Sequence, residues 1–182
     1  MKSLISTNKG FALISSLFIL LVVTLIAVAM GKNYNVQEKI SGNVREKARA
    51  LNAALAAEQY AEWTLSKASY SINTGSPCSG LVNYVSGTSQ VCSNPPPSDV
   101  TAIPWGTGVN YQPPNMTLST TGGDNAYYAN PLFYIYYLGA APGGQGAMYQ
   151  VDALGYGGTQ NAVAVVESIF LVSSGVKDLG AL

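Results

Sequence analysis

The chain offers few residues that could perform chemistry. Its 182 residues include no histidine, so the usual general base of a serine or cysteine triad is missing. Glu58 and Glu62 lie four residues apart and could act as an acid and base pair, but no neighbouring pattern marks a pocket. The glycine-rich segment 155–158 precedes neither a helical pattern nor a Lys-Ser/Thr pair, so it indicates a turn and not a phosphate loop. The sequence therefore predicts that the protein is not an enzyme and carries no cofactor.

Cys78 and Cys92 are the only cysteines in the chain. A metal site is disfavoured because two thiolates, without histidine, leave zinc undercoordinated. A disulfide would close a loop of about 15 residues and stabilise the fold by roughly 3 kcal/mol in the chain-entropy description. Disulfides persist in oxidising compartments, so this prediction depends on the side of the membrane on which the cysteines lie.

The segment 11–30 is long and apolar enough to cross a bilayer. About 20 residues at a helical rise of about 1.5 Å reach roughly 30 Å, the thickness of the hydrocarbon core. Its polar side chains are three hydroxyls, which can bond to carbonyls of the same helix: Ser15, Ser16 and Thr24. A cleaved signal peptide is the alternative, because Ala27-Val28-Ala29 fits a small-x-small cleavage site. The length of the run and the absence of polar residues around that tripeptide disfavour it.

Charges flanking this segment indicate its orientation. Lys2 and Lys9 precede the segment and no acid does, so we expect the N-terminus to stay cytoplasmic and the rest of the chain to face the other side. Both cysteines then lie outside the cytoplasm. A disulfide between Cys78 and Cys92 is therefore the predicted state.

The part of the chain after the apolar run is long enough for one domain, at roughly 150 residues. Charged residues make up 10% of the chain and the formal net charge is +0. Of the nine lysines and arginines, six lie between Lys32 and Lys67, and the distal part is weakly acidic. This distribution gives no electrostatic basis for binding nucleic acid.

The junction before the apolar run resembles the cleavage site of type IV prepilins. It reads KGFALI at residues 9–14. The resemblance implies that a prepilin peptidase of the inner membrane cuts after Gly10 and methylates the new N-terminal Phe11. Major pilins of that family carry a glutamate where this chain has Ser15. Because serine cannot supply the charge that pairs with a neighbouring amino terminus, the resemblance points to a minor pilin.

Residues 32–68 contain no proline and carry a helical pattern that continues the apolar run. Apolar residues recur every three or four positions and predict the face that packs on the rest of the domain: Val36, Ile40, Val44, Ala48, Leu51 and Leu55. Glu58 and Glu62 fall near this stripe, where they either reach water at the edge of the domain or meet partner subunits. Basic residues at positions 45, 47 and 49 form a turn nearer the membrane, and complementary bands of charge could set subunit register: Arg45, Lys47 and Arg49.

Two further patterns resemble the minor pilins of the PilX type. One is EKISGNVR at residues 38–45, followed by the alanine-rich run at 53–58. The other is YQVDALGYGG at 149–158, continuing to AVAVVES at 162–168. In PilX-type proteins the apolar run also tends to lack the glutamate. The two patterns bracket the chain and leave its middle uncovered.

The region after the helix contains turn residues first and strand patterns later. Residues 69–130 are rich in proline and glycine and predict loops, with one short strand at 81–85 and the two cysteines. Strands are predicted at 132–138, 149–153 and 162–172, joined by turns at 139–146 and 155–158. Alternation in the second of these predicts a buried face and a wet face that includes Gln150 and Asp152.

Together these patterns predict an α+β chain with the pilin fold, a long N-terminal helix packed on an antiparallel sheet. The predicted segments are a leader at 1–10, a membrane or filament-core helix at 11–31, an amphipathic helix at 32–68, a loop-rich region with the disulfide at 69–130 and a sheet at 131–182.

The resemblance implies a minor pilin that primes or decorates type IV pilus assembly at or near the tip. Its implied partners are other minor pilins, the major pilin, prepilin peptidase and the inner membrane. A large tip adhesin is a further candidate partner. The implied location is the inner membrane with a periplasmic head, then the pilus. Two alternatives stay open: a minor pseudopilin of a type II secretion system, and a membrane-anchored adhesin head that binds through its tyrosine-rich loops.

Overall fold

The computed structural model describes residues 9–67, 73–83, 90–112, 118–121, 125–144 and 146–173. The chain divides into two units, residues 1–44 and residues 45–182. The first unit contains the N-terminal part of the helix. The second contains the remainder of the helix and the sheet, which together form an α+β arrangement as predicted.

Helix α1 runs without interruption over Lys9–Lys67. Its three hydroxyl side chains in the apolar run each bond to the carbonyl three residues earlier, as predicted: Ser15 to Ala12, Ser16 to Leu13 and Thr24 to Leu21. By length and composition, this is the one helix in the described part of the chain that could cross a membrane.

The sheet contains six strands. They are β1 (Val82–Asn83), β2 (Val91–Cys92), β3 (Val109–Asn110), β4 (Leu132–Ala140), β5 (Gly146–Tyr156) and β6 (Val163–Ser173). Strands β4, β5 and β6 form the predicted antiparallel meander, and β3 adds an antiparallel pair beside the start of β4. Two parallel pairs, β1 with β3 and β2 with β4, make the sheet mixed.

Strand limits differ from the predicted ones at several places. Strand β4 continues into the predicted turn at 139–146, and β5 continues through Gly155 and Tyr156, so the reversal before β6 begins only at Gly157. Within the predicted strand at 81–85, the structure has a strand at Val82–Asn83, and residues 84 and 85 lie outside the described residues. In its described residues, the loop-rich region supplies three short strands, each of two residues.

An alanine-lined face of α1 packs on the sheet. The buried helix positions are Ala50, Ala53, Ala54, Ala57, Tyr60, Ala61, Thr64 and Leu65. Gly155 on β5 lies so close that a Cβ there would collide with backbone atoms of Ala50 and Ala54. Small side chains on both elements therefore let the helix and the central strand approach closely.

Within the second unit, the predicted core stripe is wrong at Ala48 and Leu51. Both side chains are exposed, Leu51 at 43%, whereas Leu55 is partly buried. Larger side chains dominate a hydrophobic pattern, but the close approach at Gly155 leaves room only for alanine, so the helix turns its small residues toward the sheet.

Aromatic and β-branched side chains fill the core between α1 and the sheet. Tyr60 stacks on Tyr111 with ring centroids 4.8 Å apart and lies 6.0 Å from Phe133. Ile135 and Val151, on β4 and β5, are fully buried in the same cluster.

The opposite face of the sheet is covered in part by the segment that carries the cysteines. Cys78 and Cys92 form a disulfide with their Cα atoms 5.3 Å apart, which confirms the predicted bond. They pack in a second buried cluster with Ile103 and Tyr134. The Tyr134 hydroxyl donates to the carbonyl of Asn94 at 2.7 Å, so this cover is also held by a hydrogen bond.

Candidate functional site

The predicted cleavage junction lies within the regular first part of α1. Phe11 is 77% exposed, and in the described part of the chain no atom outside the helix's own neighbouring backbone approaches the Cβ position of Gly10 within 4 Å. Four residues later, the Ser15 hydroxyl donates to the carbonyl of Ala12 at 3.0 Å. Ser15 therefore makes a local bond within its own helix and presents no negative charge.

The three basic residues of the turn nearer the membrane have different surroundings. Lys47 donates from Nζ to the carbonyl of Val163, at the start of β6, at 2.6 Å. Arg49 forms an ion pair with Glu46 at 2.9 Å. Arg45 stands 3.9 Å from Glu46, and its side chain is 68% exposed. Of the three basic residues in this turn, Arg45 is thus the one most open to a partner.

Arg49 fixes a distant segment of the chain on the helix. Its Nη2 atom donates to the carbonyls of Asn125 and Ala126, each at 2.8 Å. Its guanidinium also lies 4.6 Å from the ring centroid of Tyr127. Because a planar guanidinium can donate in several directions and stack on a ring at once, one side chain holds three consecutive residues.

Glu46 joins α1 to a distant turn, and the sequence reasoning missed it. Its Oε2 atom accepts the backbone N–H of Gly158, in the turn between β5 and β6. This hydrogen bond, with the neighbouring Arg49, holds the pKa of Glu46 below its usual value. The available signal was Glu46 spaced three residues before Arg49. The long-range partner, Gly158, could not be read from that spacing.

The two acids farther along α1 are partly buried. Glu62 accepts a hydrogen bond from the Ser168 hydroxyl on β6 at 2.9 Å. Glu58 lies one helical turn earlier. The structure thus places Glu62 beside β6, and it does not bring the acids together with the basic turn in any ion pair among the described residues.

The predicted wet face of β5 is wrong at Asp152. This residue is completely buried, and the Gln150 side-chain amide donates to both carboxylate oxygens at 3.2 Å. Its cross-strand neighbours are Tyr134 on β4 and Glu167 on β6. Burial, reinforced by the charge of Glu167, raises the pKa of Asp152 to about 6. Alternation failed here because the cover over the second face of the sheet was not visible in the local pattern.

Comparison with known families decides the classification. A family model described as PilX N-terminal matches residues 9–57, and one described as type IV pilus assembly protein PilX C-term matches residues 86–172. The chain belongs to the PilX family of type IV pilus assembly proteins. No curated protein and no solved structure shows significant similarity to it.

Both ends of the PilX signal coincide with structural features. The N-terminal match contains the exposed apolar run, and also Glu46 and Lys47, which join α1 to the turn after β5 and to the start of β6. The C-terminal match contains β2 to β5 and nearly all of β6. Membership makes this protein a minor pilin of type IV pilus assembly, and the family is one of assembly proteins and not of enzymes.

Proposed function

We propose that this PilX-family protein primes or decorates type IV pilus assembly at or near the pilus tip, together with other minor pilins. The observation that carries the proposal is the N-terminal part of α1, whose apolar side chains from Phe11 to Met30 are exposed in a chain that matches PilX at both ends. Such a surface needs either lipid or other helices around it.

Processing is the first step of the proposed function. Prepilin peptidase would hydrolyse the peptide bond after Gly10 and methylate the amino group of Phe11. Before cleavage, the leader and the apolar helix anchor the chain in the inner membrane with its head in the periplasm. Two facts support this topology: the lysines before the apolar run, and the disulfide after it.

Assembly then exchanges lipid for protein around the apolar helix. Because lipid tails are as apolar as a partner helix, close packing and not hydrophobic transfer must drive this exchange. Partners in this step are other minor pilins and the major pilin. Ser15, bonded to its own helix, offers no carboxylate to a neighbouring amino terminus. A subunit at or near the tip does not need that contact, and a large tip adhesin is a further partner there.

Deletion of the chain tests the proposal. We expect loss of surface pili and of twitching motility, restored by the wild-type chain. The Gly10→Val variant should remain unprocessed and fail to restore piliation. Gly31→Ala, on the same helix, adds a Cβ that meets no atom within 4 Å and should restore it. Edman sequencing of the mature protein should begin at Phe11. A mature protein that begins at Met1 would defeat the processing step, and normal piliation after deletion would defeat the assembly role.

An adhesin head is the second candidate, and one cleft favours it. The cleft encloses about 430 Å³ and is lined by uncharged residues: Leu81, Asn110, Thr120, Tyr128, Ala129, Asn130, Leu132 and Tyr156. Tyr128 and Tyr156 stand with ring centroids 5.3 Å apart. If this cleft is the ligand-binding surface of an adhesin, Tyr128→Ala should abolish attachment and leave piliation normal. A pseudopilin of a secretion system would instead show lost secretion with intact pili after deletion.

A further inference from the structure

Strand β6 forms one edge of the sheet. It pairs with β5 over all 11 of its residues, and among the described residues no strand lies on its other side. Long, apolar edge strands are templates for pairing with another chain, and proteins usually shorten or charge them. Here only Glu167 interrupts an otherwise uncharged strand.

The register shows which backbone groups of β6 face outward. Gly157 donates its N–H to the carbonyl of Ala162, which identifies their pair as a hydrogen-bonded one. Pairs alternate along an antiparallel ladder, so odd-numbered residues of β6 direct their N–H and C=O groups away from β5. The Lys47 contact agrees, because it reaches the carbonyl of Val163 from that side.

Lys47 occupies the first outward carbonyl, and four residues farther along continue the same open row of donors and acceptors: Val165, Glu167, Ile169 and Leu171. Toward the end of β6, the side chains of residues 169–172 are apolar on both faces of the sheet. Ile169 and Leu171 are 68% and 54% exposed on the face opposite α1. Phe170 and Val172 pack against the core on the helix side and remain partly exposed. An added strand would cover apolar surface on both faces.

We propose that β6 accepts an extended strand from a different protein, one that carries apolar side chains on both faces and a lysine opposite the acids of this edge. The proposal rests on the assembly role above, which supplies the partner subunits. Backbone hydrogen bonds to the outward row would give affinity, and the alternating side chains would give specificity.

Charge argues for a different protein over a second copy of this chain. The acids beside the edge are Glu167, on β6 itself, and Glu62, which accepts from Ser168. The one base that reaches the described part of the edge, Lys47, is engaged at Val163. Two copies paired through β6 would therefore bring acids together without a compensating base, whereas a basic partner strand would be attracted.

Site-directed cross-linking of the full-length chain in piliated cells tests the proposal. The two native cysteines are bonded to each other, so Ile169→Cys introduces a single reporter thiol. With a short bifunctional thiol and amine reagent, this thiol should yield an adduct with a lysine of the partner strand. Leu138→Cys, an exposed apolar residue on β4, is the matched control and should give no such adduct.

A proline at an outward position separates strand addition from side-chain docking. Leu171→Pro removes an N–H that faces the partner and spares the ladder with β5, whereas Leu171→Ala trims the side chain and keeps the N–H. We expect the proline variant to reduce the yield of the adduct about five- to tenfold more than the alanine variant does. This factor corresponds to the loss of at least one hydrogen bond. Val165→Pro, at a second outward position, should have the same effect, and both prolines are compared at equal amounts of disulfide-bonded protein.

Three results would overturn the proposal. They are an adduct with twice the mass of this chain, equal adducts in the proline and alanine variants, and no adduct at Ile169 in cells that assemble pili. The proposed function fails separately, through normal piliation after deletion. If deletion leaves piliation normal, an adduct of the full-length chain that depends on the outward N–H groups would still support strand addition and would refute only the assembly role.

Discussion

At the scale of single residues, Asp152 is the least expected group in the protein. It is fully buried between β4 and β6, and its pKa is raised to about 6 because burial disfavours the charged carboxylate. The folded chain therefore binds a proton that the unfolded chain has already released between about pH 4 and pH 6. The contribution of Asp152 to stability is largest at low pH and is lost as the pH rises through about 6.

Replacing this carboxyl should remove that dependence. Asp152→Asn keeps an oxygen that accepts from Gln150 and cannot ionise. We expect it to raise the free energy of unfolding at pH 7 by about 2 kcal/mol and to change it little at pH 4. Urea unfolding in detergent, followed by tryptophan fluorescence, measures both values. Glu167→Gln, opposite on β6, should give a smaller gain at pH 7. A variant of Asp152 that is less stable at pH 7 would contradict this account.

Arg49 is the residue that orders the segment 125–127 against α1. Arg49→Ala should destabilise the protein by about 2 kcal/mol, since it leaves two carbonyls without their charged donor. Limited proteolysis should then cut faster near Tyr127. Arg45→Ala is the control, because that side chain is 68% exposed and should leave the rate unchanged. Equal rates in both variants would show that the contacts of Arg49 do not hold the segment.

At the scale of elements, the distance between α1 and β5 is set by residues without large side chains. Gly155→Ala would force a methyl group into the backbone at Ala50 and Ala54, so we expect a loss of about 3 kcal/mol or failure to fold. Gly106→Ala, where no atom approaches the new Cβ within 4 Å, should change stability little. Thermal unfolding in detergent compares the two. A tolerated Gly155→Ala would show that the helix can move away from the sheet without cost.

The same contact shows what could be predicted from sequence. The helix limits, the meander and the disulfide follow from local signals: a proline-free periodic run, clustered aromatic and β-branched residues, and two cysteines beyond an apolar segment. The packed face of α1 did not follow, because alanine is a weak signal beside Val44 or Leu51. Its burial depends on Gly155, roughly a hundred positions away in the chain.

Contacts that join distant segments were also invisible locally. The bond from Lys47 to β6 and the bond from Gly158 to Glu46 arise only once the sheet lies on the helix. The two-residue strands β2 and β3 are too short to leave an alternating pattern. For the candidate site, sequence therefore named the basic residues and could not say which of them the fold uses internally.

At the scale of the whole molecule, the exposed apolar run determines how the protein partitions between a membrane and water. A charge at its centre, as in Leu20→Arg, should cost about 3 kcal/mol on insertion and move the chain from the detergent phase toward water in a phase-separation assay. Leu51→Arg changes an exposed residue outside the run and should have no such effect. If both variants partition like the wild type, the run does not act as the membrane segment.

The disulfide stabilises the cover on the outer face of the sheet. Replacing both Cys78 and Cys92 by serine should lower the free energy of unfolding by about 3 kcal/mol, the chain-entropy value for a loop of this size. Reduction of the wild-type protein should produce the same loss, whereas the serine variant should not respond to reductant. If reductant lowers the free energy of unfolding equally in the serine variant, the loss does not come from this disulfide.

The redox state of the disulfide also depends on the compartments that the protein has passed through. Thiols stay reduced in a cytosol, so under the proposed topology the cover over Tyr134 can lock only after the head has left that compartment. Before export under this topology, no disulfide holds the cover on the outer face of the sheet. Under that topology, an oxidised disulfide identifies a subunit whose head has already crossed the membrane.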